Sequence, residues 1–213
     1  MQTEHLISLL SATGRPVDTG WLRRTAWLGA AAALAATLVL VVSLLGTRRD
    51  LATALTTLPV LAKFAFGGSV AAIALVLFQR SLRPGLPARP LLVLVVLPVA
   101  LVVLSAIIAL LQAPVEQWSA LTLGRNWRGC LVIVPLLALC PLGIFALLAR
   151  RGAPVDRRLT GLSAGLASAG IAILAYALHC PDDTMPFMAT WYTLAIGISA
   201  TIATLILPRL LRW

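Results

Sequence analysis

Six separate stretches of this chain each run for about twenty residues with scarcely a charged side chain, the length a helix needs to cross a hydrocarbon core about 30 Å thick. They lie at residues 25–45, 58–78, 91–111, 130–148, 159–178 and 187–207. A soluble domain has no place for them. Of the 213 residues 60% are hydrophobic and 11% charged, whereas soluble domains are about 25% charged. The first stretch is too long and too late for a simple signal peptide. The expected fold is therefore an all-α integral membrane protein. Residues 25–213 form a bundle of six transmembrane helices, and residues 1–24 form a cytoplasmic amino-terminal segment with a short amphipathic helix.

The net charge of +10 is almost all arginine, which supplies sixteen of the seventeen basic residues, Lys63 being the single lysine. These residues sit in short clusters between apolar runs. No groove-sized basic stripe with interleaved aromatics occurs, so no direct nucleic-acid partner is expected. Twelve arginines fall at one end of the six spans and four (Arg48, Arg49, Arg125 and Arg128) at the other. That bias places both termini in the cytoplasm, with the lipid bilayer as the surrounding partner. Trp27, Trp118, Trp127, Trp191 and Trp213 fall near helix ends, as interfacial aromatics do. Gly161 and Gly165 form a small-residue pair expected to pack within the bundle. Pro98, Pro135 and Pro141 lie inside spans, where kinks are expected.

At the amino terminus Leu6, Leu9 and Leu10 share one helical face until Gly14 and Pro16 end it. About ten residues make no stable helix alone in water. The segment either lies on lipid headgroups or docks in a groove of a cytoplasmic partner, and periodicity leaves both readings open.

Chemistry-bearing residues are few. Lys63 is the only charged residue inside a span and is expected to snorkel to interfacial water. No carboxylate accompanies it, which speaks against ion-coupled transport. Ser69 follows Gly67-Gly68, but His5 and His179 both lie outside the spans, so no buried base serves it and no enzyme is expected. Of the three cysteines, Cys130 opens the fourth span, Cys180 closes the fifth, and the two are equidistant from Val155 in the intervening turn. A hairpin brings them to the same depth on the arginine-poor side. They are a disulfide pair, a pair of thiols for a transient soft metal with His179, Asp182 and Asp183 nearby, or two unrelated buried thiols. Cys140 lies about 15 Å deeper and is expected to be an inert core thiol.

Several features mark the chain: Leu6-Ile7, Leu9-Leu10 and Pro16-Val17, then Arg49-Asp50-Leu51, Lys63 and Cys130. The run Tyr176-Ala177-Leu178-His179-Cys180-Pro181-Asp182-Asp183 follows, and then Trp191-Tyr192 and Leu210-Leu211-Arg212-Trp213. In these residues the chain resembles the NrsF-type proteins (negative regulator of sigma F). The resemblance implies a six-helix anti-sigma factor of the bacterial inner membrane. It implies a partner, an extracytoplasmic-function sigma factor, held inactive and released on stress. It also implies that Cys130 and Cys180 act as sensors of heavy metals and oxidants. No resident cofactor is implied beyond transient soft-metal binding there. Sigma contact is then expected from residues 1–24, with Leu6, Leu9, Leu10 and Arg15 as candidates, and from the cytoplasmic turns. The competing readings are a small permease or metal exporter, and an accessory subunit for membrane assembly.

Overall fold

The computed structural model describes residue 3, residues 20–83, 85, 86 and 88–211. Leu6, Leu9, Leu10 and Arg15 lie outside the described residues, as does Trp213. Among the described residues every regular element is helical, and six helices are long and apolar enough to cross a membrane. They are α1 (Trp21–Leu45), α2 (Leu58–Ser81), α3 (Leu92–Gln112), α4 (Trp127–Ala149), α5 (Arg157–Tyr176) and α6 (Met185–Leu210). Short helices at Leu51–Ala54 and Trp118–Leu123 precede α2 and α4. The last turn of α1 (Val41–Leu45) and an early turn of α6 (Met188–Tyr192) are π-helical.

Helix boundaries have local causes. Pro59 stands in the first turn of α2, where its missing N–H costs nothing. Asp156 caps α5 by accepting from the Arg158 and Leu159 amides at 3.1 and 3.0 Å. Gly46 (φ +75°) ends α1 and Gly124 (φ +58°) ends Trp118–Leu123, both in a region that favours glycine. Pro98, Pro135 and Pro141 sit within continuous helices.

Helix α5 forms the centre, with fifteen of its twenty residues buried. Its small side chains let α2, α4 and α6 pack directly on it, while α1 leans on α4 and α5 and α3 lies outermost against α2 and the start of α6. A Cβ added to Gly165 would stand 2.6 Å from Ala203 Cβ, and one on Gly161 would stand 2.9 Å from Ala203 O. Both glycines thus serve the α5–α6 contact inside the chain. On the far side, a Cβ on Gly170 would stand 2.6 Å from the Ala71 backbone nitrogen of α2.

The connections gather at two ends. The arginine-poor end joins through Arg48 N–H to Leu178 O (2.9 Å) and Thr184 Oγ1 to Leu121 O (2.6 Å). The arginine-rich end joins through Ala153 N–H to Leu82 O (3.2 Å).

Candidate functional site

The loop from Cys180 to Asp183 leaves α5 and turns into α6, and three other elements converge on it. Lys63, one turn into α2, is wholly buried. Its ammonium donates to Asp183 Oδ1 (2.5 Å), Asp182 O (2.7 Å) and Cys180 O (3.2 Å), and lies 5.7 Å from the centre of the Tyr192 ring. The snorkelling expectation for Lys63 is thus overturned. Three acceptors within reach satisfy all three ammonium protons, so the charge has no need to seek water. A buried charge persists only when paired and hydrogen-bonded in this way.

Asp183 is shared. Its carboxylate also accepts from an Arg48 amino group at 2.8 and 3.0 Å, and the other side of that guanidinium forks onto Asp50 through two bonds of 2.8 Å. The Asp50 contact, followed by those to Asp183, holds the Arg48 guanidinium above its ordinary pKa against the opposing cost of burial. The same hydrogen bond from Arg48 holds the Asp50 carboxylate below its ordinary value. The adjacent Asp182 turns the other way. Its carboxylate accepts the backbone amides of Arg125 (3.1 Å) and Asn126 (2.8 Å), the residues that lead into α4. One short loop therefore ties the α1–α2 connection, α2 and the beginning of α4 together.

Cys130, in the first turn of α4, and Cys180 are both free thiols with no exposed surface, and they are electrostatic neighbours. The hairpin about Val155 brings them to one depth because α4 and α5 are antiparallel and pack on each other. Burial pushes the Cys180 thiol up, with Lys63 pulling in the opposite direction. The Tyr176 and Tyr192 rings, both electrostatic neighbours of the two thiols, lie 6.4 Å apart, and Phe187 lies 6.0 Å from Tyr192. The Tyr192 hydroxyl is buried without a well-formed hydrogen bond and has the Cys180 sulfur as a polar neighbour. Cys140 stands apart, part-buried on α4.

His179 is engaged with the end of α1 and with Tyr176. Its Nδ1 meets Gly46 O at 3.1 Å and its ring lies against Tyr176. Among the described residues no group of three or more His, Cys, Asp or Glu side chains could hold a metal ion. His179, Asp182 and Asp183 each hold other partners around the loop. Arg48 and the tyrosines were not singled out by spacing. For Arg48 the available signal was its place among the four arginines at the depleted end. At the arginine-rich end lies an open cavity of about 430 Å³, lined in part by Ser81, Leu86, Pro90, Val155 and Leu159.

Residues 10–213 match the family described as "Negative regulator of sigma F". Over its whole length the chain is 31% identical to a probable anti-sigma-F factor NrsF of Azospira oryzae, and 32% identical to the anti-sigma-F factor NrsF of Caulobacter vibrioides. Each of those proteins is covered completely as well. No solved structure matches. A full-length family match and two full-length relatives above 30% identity agree on a regulatory protein rather than an enzyme, and the chain belongs to the NrsF family, the negative regulators of sigma F.

Proposed function

We propose that this protein is a membrane-embedded anti-sigma factor of the bacterial inner membrane. It crosses the bilayer six times with both termini in the cytoplasm and holds an extracytoplasmic-function sigma factor there. It releases that factor when Cys130 and Cys180 react with a heavy metal or an oxidant on the periplasmic side. Six apolar helices and the twelve-to-four arginine bias support the topology. The names of the two relatives support the sigma partner. Sigma contact falls to residues 1–24, with Leu6, Leu9, Leu10 and Arg15 foremost, and to the turns around the arginine-rich cavity.

One observation carries the sensor reading: two wholly buried free thiols, one in the first turn of α4 and one in the loop that fastens three other elements, are electrostatic neighbours. A divalent soft metal displaces both thiol protons and leaves a neutral dithiolate, with metal–sulfur bonds of about 2.3 Å. An oxidant instead takes two electrons while two protons leave, and a disulfide of about 2.05 Å forms. Either product draws α4 and the Cys180 loop together without adding a charge to the buried cluster. Turning a holder from 99:1 to 1:99 takes about 5.5 kcal/mol, which bonds of this strength supply and rearranged lipid-facing side chains do not.

The test is co-purification of the detergent-solubilised protein with a co-expressed extracytoplasmic-function sigma factor of the same organism, with and without residues 1–24 and with and without cadmium. Retention by the full chain, loss on truncation and loss on cadmium are the expected results. If sigma never co-purifies, the holder reading is wrong. If cadmium releases sigma equally from the Cys130→Ser/Cys180→Ser protein, the sensor reading is wrong.

A further inference from the structure

We propose that the Lys63–Asp183 ion pair is the restraint through which the state of the Cys130/Cys180 pair is passed to α2, and that its opening is the step that frees the arginine-rich end. This inference rests on the anti-sigma reading and names how that site is regulated.

The argument starts at the Cys180 carbonyl, which accepts from both Lys63 Nζ (3.2 Å) and Arg48 (3.4 Å). The sensor residue and the ion pair therefore share a main-chain atom and two cations. A backbone movement that draws the Cys180 sulfur towards Cys130 also shifts the carbonyl on the same residue. Meanwhile Asp182 keeps the other side of the loop pinned to the start of α4. The loop cannot follow the sulfur and keep every contact to Lys63. The first turn of α2, which begins Leu58, Pro59 and Val60, holds no acidic residue, and among the described residues the Lys63–Asp183 pair is the ion pair made by this helix at this end.

Helix α2 is then a rigid connector. Seventeen residues separate Lys63 from Arg80, about 26 Å along the axis. The far end of α2 leads into the cavity-lining segment at the arginine-rich end. Its main contact, with α5, passes over Gly67, Ala71 and Gly170, where backbones touch directly. Packing of that kind supports small sliding movements of one helix on another. Lys63 and Asp183 are thus positioning residues, acting through α2 rather than on the metal or oxidant.

Because Lys63 is the only lysine in the chain, amine labelling reads the restraint directly in the unmodified protein. The probe is a membrane-impermeant sulfosuccinimidyl biotin ester applied to spheroplasts expressing the protein with the sigma factor that co-purifies with it, before and after cadmium. Labelling of Lys63 is expected to rise with cadmium by a factor in the usual range of allosteric coupling, about 5- to 150-fold, and to stay flat in the Cys130→Ser/Cys180→Ser protein. Asp183→Asn is expected to label, and to lose co-purifying sigma, without cadmium. Asp183→Glu is expected to restore the resting behaviour. In a sigma-dependent reporter, Lys63→Met and Asp183→Asn are each expected to derepress, and the double variant to fall short of the sum of the two, because the residues share one contact. The inference is overturned if cadmium releases sigma from the wild type while Lys63 stays unlabelled. It is equally overturned if well-folded Asp183→Asn retains sigma as the wild type does. A wild type that never retains sigma removes the anti-sigma reading itself, an outcome separate from either of these.

Discussion

Lys63 Nζ and Asp183 Oδ1 lie 2.5 Å apart, and the lysine has no exposed surface while the Asp183 side chain keeps 23% of its own. The asymmetry predicts unequal costs. Asp183→Ala strands a buried ammonium and is expected to cost about 3–5 kcal/mol of stability. Lys63→Met removes the buried charge together with its desolvation penalty, and Asp183 still keeps Arg48. Its cost is expected to be clearly smaller. Thermal unfolding in a mild detergent compares the two, and an equal or larger loss for Lys63→Met would contradict the account.

Asp182 makes a different prediction, because it is joined to backbone rather than to a cation. Asp182→Ala frees the Arg125 and Asn126 amides ahead of α4 and is expected to cost about 1–2 kcal/mol, as lost helix caps do. Asp182→Asn keeps an acceptor oxygen and is expected to lose less. Hydrogen exchange at residues 125 and 126 should accelerate in the alanine variant and hardly move in the asparagine one. No change at those amides in either variant would remove Asp182 from the capping role.

The contrast between Lys63 and the cysteines shows what the sequence could reveal. The matched depth of Cys130 and Cys180 follows from counting residues on either side of Val155, since an antiparallel hairpin turns equal separations into equal heights. Long apolar runs mark the six helices because length and composition alone decide which segments can span about 30 Å. The fate of Lys63 is not countable in this way. Its carboxylate partner stands 120 residues away, outside any span, so the span holding Lys63 reads as having no counter-ion. The choice of Arg48 over the adjacent Arg49 likewise depends on how the α1–α2 connection meets the Leu178 carbonyl, a tertiary fact. The π-helical turn at Met188–Tyr192 has no periodic signature either, yet it lies where Tyr192 reaches the thiols.

Glycine substitutions separate close packing from mere presence in a helix. Gly170→Ala sets a methyl 2.6–2.8 Å from the backbone of Ala71 and is expected to cost about 1–3 kcal/mol, since neither helix can yield there without moving its neighbours. Gly143 and Gly197, inside α4 and α6, have nothing within 4 Å of an added Cβ. Alanine at those two positions is expected to be neutral or to stabilise by up to about 1 kcal/mol through helix propensity. Gly165→Leu is expected to unfold the single chain rather than to abolish a dimer. Recovery of a stable, well-folded Gly165→Leu monomer would show that α5 and α6 do not need that close approach.

Cys180 supplies the pH dependence. Its thiol is pushed up by burial, so the folded protein keeps a proton that the unfolded chain gives up above about pH 8.5. The sign follows directly. The neutral thiol's contribution to stability is whole below that pH and declines as pH rises further, because the unfolded state then binds fewer protons. Alkylation by iodoacetamide requires the thiolate. In a Cys130→Ser/Cys140→Ser protein the Cys180 rate is therefore expected to keep climbing through pH 9.5, with no plateau near 8.5. A plateau near pH 8.5 would mean that Cys180 meets water freely in the resting protein, and the thiols would then be open to any soluble reagent.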